Sequence, residues 1–164
     1  MPTNDVENYQ GTGTPTYIGD GWDLYIGAFN DSTSTATTAG QVWEVVFSNS
    51  TNAAVYPWLK QPATQATAMH VIGIVNNFKM SQSTGSIAAS AWGLAQTRGY
   101  CPAVLGAAST TTEHTLTSTN TANTATDTGG ATQAANTFGI AKSSNAVSPY
   151  SVAAWLFGNL VAMP

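Results

Sequence analysis

The chain has 164 residues and a mass of 17.0 kDa, close to one typical domain of about 150 residues, so one domain with extensions is expected and two would be cramped. Only 7% of its residues are charged, against about 25% in an average soluble protein, so neutral polar side chains must supply most of the wetted surface. With eight acidic residues against four Lys+Arg, the net charge is -4, and no polybasic surface is available to neutralise a phosphate backbone or an anionic bilayer. Nucleic acid and membrane are therefore excluded as expected partners.

The opening, MPTNDVENYQ, is polar and acidic rather than basic and then apolar, so no cleaved export signal is expected. Residues 1–20 carry Pro2, Gly11, Gly13, Pro15 and Gly19 with few apolar anchors, which predicts an extended arm rather than a core element. Tyr9 and Tyr17 would let such an arm strap onto a neighbouring subunit. The domain proper then spans 21–164.

Trp22, Leu24 and Ile26 share one parity, as on a half-buried strand. Residues 30–40 contain nothing larger than Thr apart from Asn30 and Asp31 and read as a loop. Residues 41–47, QVWEVVF, are the strongest strand in the chain, with Trp43, Val45 and Phe47 on one face. Pro57 cannot donate to a ladder, so 54–59 is expected to be an edge strand or extended loop. Residues 68–75 form another strand, in which Gly73 marks a bulge or a close approach.

Residues 92–105 read as a strand, a sharp bend at Gly99, and a second strand. From 107 to 137 nearly every residue is Ser, Thr, Ala, Asn or Gly, with Leu116 the only large aliphatic; a long polar loop is expected, with 113–118 an exposed strand inside it. Residues 138–142 resume the apolar alternation. The stretch 152–163 is too short and too interrupted, by Gly158 and Asn159, to cross a bilayer, which takes about 20 residues. A strand is favoured over a helix there, because the same two residues would break so short a helix. Short strands without alternating helices predict a mostly β fold, a small antiparallel β-barrel or sandwich with an extended N-terminal arm and a long Thr/Ser-rich loop.

Few residues carry a chemical signature. His70 and His114 have no partner at metal-ligand spacing, and adjacent Glu113 and His114 would point to opposite faces of a strand. No Gly-x-Ser-x-Gly elbow occurs. Asp20, Asp23, Asp31 and Glu44 lack a calcium-loop spacing, and Gly11-Thr12-Gly13 lacks the strand, helix and lysine of a phosphate loop. Asn49-Ser50-Thr51 fits the glycosylation pattern, which is used only in a chain that is exported. Cys101 is the sole cysteine, so no internal bridge can form, and a reducing compartment with a packed thiol is expected. No catalytic residue, metal or cofactor is expected.

Five tryptophans and six tyrosines exceed what one small core readily encloses, so some must face solvent or a partner. Trp58, beside Pro57, and Trp22, beside the arm, are the best candidates for a protein interface, together with Tyr9 and Tyr17.

The run Trp92-Gly93-Leu94-Ala95-Gln96-Thr97-Arg98-Gly99-Tyr100, leading into Ala103-Val104-Leu105 and followed later by Phe138-Gly139-Ile140-Ala141, resembles the small decoration or cement proteins of tailed-bacteriophage capsids. The resemblance covers roughly a third of the chain. It departs from the family pattern at Cys101-Pro102, in the swollen Thr-rich tract and in the tryptophan-bearing C-terminal segment. What it implies is a structural virion protein, made in the host cytoplasm, that binds the major capsid protein on the outside of the mature shell, often as a homotrimer. The rival expectation is a carbohydrate-binding β-sandwich, marked by exposed aromatics beside Asp or Asn.

Overall fold

The computed structural model describes residues 17–19 as backbone and residues 23–62, 71–75, 86–106, 110–119, 123–128, 137–145 and 151–158. The protein is mostly β; the described residues form ten strands and no helix. In chain order these are β1 (Tyr17–Gly19), β2 (Leu24–Asn30), β3 (Val42–Val46), β4 (Trp58–Lys60), β5 (Val71–Val75), β6 (Trp92–Leu105), β7 (Thr115–Ser118), β8 (Ala125–Asp127), β9 (Thr137–Ala141) and β10 (Ser151–Phe157). All ten join one hydrogen-bonded sheet, antiparallel throughout except for the short β2–β4 contact.

The pairings trace two circuits that share β6, the first closed by strand pairings and the second linked back by one isolated bridge. In the first, β2 pairs with β4, β4 with β3, β3 with β5, β5 with β6, and β6 returns to β2. In the second, the later part of β6 pairs with β10, then β9, β7 and β8 follow, and Ala125 of β8 bridges Gly106 just past the end of β6. Each circuit has its own apolar filling. Ile26, Ala28, Val45, Leu59, Val75, Ile87 and Ala95 form one cluster; Cys101, Val104, Leu116, Phe138, Val152 and Leu156, among others, form the second. Strand alternation lets β5 serve both, sending Val75 into the first cluster and Ile72 and Ile74 into the second.

Gly99 is where β6 passes from one circuit to the next. Its φ of 94° is open to glycine at little cost and strained for other residues. Gln96, wholly buried, braces the bend by donating from Nε2 to the carbonyls of Arg98 at 3.1 Å and Tyr100 at 3.0 Å. Residues 92–105 are thus one continuous strand rather than the two expected. Gly73 is a close approach, as expected: a Cβ there would lie 2.7 Å from Ala95 Cβ and 3.0 Å from Val45 Cγ2.

Three further expectations are corrected. Of the edge strand or extended loop expected over 54–59, residues 54–57 lie outside any strand, as the proline requires, but β4, which begins after it, is interior, between β2 and β3, while the Pro57 carbonyl accepts the Phe29 N–H at 2.9 Å. Phe47 does not share the buried face of Trp43 and Val45, because β3 ends at Val46 and leaves it 42% exposed. The Thr-rich tract is not merely an exposed loop: it supplies β7 and β8, with Leu116, Thr117, Ser118 and Ala125 all buried. A few apolar residues suffice there because neighbouring strands provide the rest of the filling. The C-terminal stretch forms a strand, β10, as favoured. Of the arm expected over 1–20 only the backbone of 17–19 is described, as β1 paired with β2; residues 1–16, Asp20, Trp22, the side chain of Tyr17 and His70 lie outside the described residues.

Candidate functional site

Two adjacent residues at the end of β2 organise the loops beyond it. Asn30, 2% exposed, donates from Nδ2 to the carbonyls of Thr35 (2.9 Å), Ile87 (3.2 Å) and Ala88 (3.1 Å), and its Oδ1 accepts the Ser32 N–H at 3.2 Å. Asp31, 6% exposed, accepts the backbone N–H groups of Thr51 and Asn52 on its carboxylate at 3.2 Å. Asn52 returns a side-chain amide bond to the Asp31 carbonyl at 2.7 Å. The loop joining β3 to β4 is therefore tied down at its middle. It is tied again where the Ser50 N–H donates to the Val55 carbonyl at 2.8 Å.

That loop is an exposed, uncharged projection. No residue from 47 to 58 carries a charge, and Phe47 and Tyr56 stand at its two ends, 42% and 39% exposed. Trp58 follows in β4, half-buried opposite Val46, with its ring N–H enclosed and lacking an acceptor among the described residues. Exposed aromatics with few charges around them are the composition of a protein-binding surface. A loop already fixed by hydrogen bonds loses little conformational freedom when it docks.

A second aromatic surface lies across the other circuit. Trp155 of β10 sits directly opposite Tyr100 of β6, and the two are 41% and 48% exposed. On its other side Trp155 faces Ile140 of β9. Tyr100 is held through its backbone, whose N–H donates to Asp23 Oδ1 at 3.0 Å. Arg98, two residues before Tyr100 on the same exposed face, pairs across the ladder with Phe157.

His114 has a carboxylate partner that sequence spacing did not show. Its Nδ1 lies 2.8 and 2.9 Å from the two carboxylate oxygens of Asp127, brought alongside by the β7–β8 pairing, and Asp127 also accepts the Thr111 N–H at 2.9 Å. Lys142 and Glu113 form an exposed ion pair nearby, at 2.6 Å. Among the described residues no hydroxyl or thiol is hydrogen-bonded to the His114 ring, so the contact stitches the hairpin without assembling a nucleophile–base pair. Of the acidic residues near the start, Asp20 lies outside the described residues and the other three do not converge. Asp23 and Asp31 each accept backbone N–H groups, Glu44 pairs in register with Lys60, and no group of three potential ligands occurs among the described residues.

Of the expected interface residues, the structure therefore places Trp58 beside an exposed aromatic loop, while Tyr9, Trp22 and the side chain of Tyr17 are outside the described residues. Sequence reading passed over Asp31 as a loop anchor and did not single out the Tyr100–Trp155 pair. The alternation of 98, 100 and 102 against 99 and 101 was the available signal. No protein-family model, curated protein or solved structure matches the chain.

Proposed function

We propose that this is a structural virion protein that binds the outer surface of a mature phage capsid and reinforces the shell. The observation that carries the reading is the pinned, uncharged loop 47–58 with Phe47 and Tyr56 exposed at its ends. Such a surface suits a permanent contact with a neighbouring protein, and a protein repeated around a shell gains from self-complementary, weakly charged faces. The resemblance of the β6 sequence to capsid cement proteins supports the same role. In this reading the closed pairings of β2, β4, β3, β5 and β6 make a small barrel, the major capsid protein is the partner, and the protein acts as a homotrimer.

The test is co-sedimentation of the purified protein with expanded shells from its own source that lack it. Saturable, stoichiometric binding that falls on combined Phe47→Ser and Tyr56→Ser substitution is the expected result. No binding at micromolar protein would overturn the reading. Binding unaffected by these substitutions but abolished by Trp58→Ala or by removal of residues 1–20 would move the contact to those residues.

A further inference from the structure

A different surface, on β6 and β10, has the chemistry of a small-ligand platform. Tyr100 and Trp155 are direct cross-strand neighbours, both exposed, and Ile140 extends the row to β9. With neighbouring strands about 4.8 Å apart, the row is about 10 Å long, the footprint of one or two sugar rings. At 48% and 41% exposure, and with whole aromatic side chains offering about 150–250 Å², the two rings present roughly 200 Å².

The rim carries both signs of charge, and the two groups differ in what they already hold: Asp23 accepts the Tyr100 N–H on Oδ1 at 3.0 Å. Arg98 is exposed on the same face as Tyr100, and among the described residues its guanidinium makes no hydrogen bond or ion pair. The stem of Arg98 runs past Gly158, where an added Cβ would lie 3.1 Å from its Cβ and 3.3 Å from its Cδ. Lys142, two residues from Ile140, is already committed to Glu113. A planar guanidinium with no partner among the described residues is matched to a carboxylate, which it can hold by two parallel hydrogen bonds. Sugars present flat C–H faces to aromatic rings and hydroxyls to the phenol and indole edges.

We infer that the Tyr100–Trp155–Arg98 surface binds an acidic saccharide, one pyranose ring stacked on Trp155 and Tyr100 and its carboxylate held by Arg98. The surface is separate from loop 47–58, so this inference and the shell-binding reading stand or fall independently.

The test is isothermal titration of the full chain with oligogalacturonate and, as the neutral comparison, cello-oligosaccharide. Binding of the acidic sugar in the micromolar-to-millimolar range is expected, with Trp155→Ser weakening it about tenfold or more. Arg98→Gln should erase the preference for the acidic over the neutral sugar while leaving the neutral affinity unchanged. A melt checks that both variants remain folded at the titration temperature; Trp155→Ser should lower the midpoint somewhat through lost cross-strand packing with Tyr100 and Ile140, and Arg98→Gln should leave it near the parent's. No heat with either sugar at millimolar concentration would overturn the inference, as would binding that both variants leave intact. Concentration-dependent self-association that Trp155→Ser abolishes would also overturn it, by making the face a contact between copies.

Discussion

Asp31 and Asn52 clasp each other in both directions: the Asp31 carboxylate accepts the Asn52 backbone N–H at 3.2 Å, and the Asn52 side-chain amide donates to the Asp31 carbonyl at 2.7 Å. Since Asp31 is buried and its charge is spent on N–H donors, Asp31→Ala should cost about 2 kcal/mol. Urea unfolding measures the loss, and amide exchange should show protection falling at Thr51 and Asn52. Asp31→Asn, which keeps one acceptor oxygen, should lose less. Unchanged protection at both amides in Asp31→Ala would mean that the loop is held by other contacts.

The neighbouring residue works through the opposite chemistry. Asn30 donates into three carbonyls, so Asn30→Ala should cost about 3 kcal/mol through lost bonds and unsatisfied acceptors. Asn30→Asp should be worse at neutral pH, because a carboxylate there would point negative charge at those same oxygens. Its stability deficit should shrink as pH falls and the introduced carboxyl protonates. Denaturant midpoints at neutral and acid pH decide the point.

Gly73 and Ala95 share one space. A Cβ added at Gly73 would come within 2.7 Å of Ala95 Cβ, so Gly73→Ala should destabilise by about 1–3 kcal/mol. Adding Ala95→Gly should recover part of that loss, so the two substitutions couple rather than add. Additive losses across the double-mutant cycle would show that the strands part without meeting at these two positions.

Leu116 tests whether the low-complexity tract belongs to the core. It is fully buried among Val104, Phe138 and Val152, so Leu116→Ala should cost about 2–5 kcal/mol despite its surroundings of Thr and Ser. A loss below about 1 kcal/mol, comparable to a surface change, would remove β7 from the filling of the second circuit.

These residues also mark what the sequence makes legible. The β character, the close approach at Gly73, the bend at Gly99 and the strand at 151–157 follow from alternation and from glycine in apolar runs, which are local properties. The burial of Leu116 is not local, since it depends on β9, β10 and β6 arriving around a segment that is polar by composition. The loop anchor was hidden for a related reason: Asp31 sits in a run of Ser and Thr that reads as solvent-facing, and its partners lie on another connection. Likewise Asp127 reaches His114 only through a hairpin whose register composition does not specify. The exposure of Trp155 could not be separated from a core role by residue type, because the same amphipathic ring serves both.

Strand β10 is inserted between β6 and β9, both of which precede it in the chain. β9 meets β10 as soon as the short connection between them is made, but as the polypeptide emerges the later half of β6 must wait with one edge unsatisfied until β7, β8 and β9 have been made and β10 arrives. Such long-range closure is slow, and open edges are templates for other chains. Translation in many neighbouring copies thus creates a window in which one molecule's β10 can complete another's gap, an exchange that would yield entwined rather than separate products.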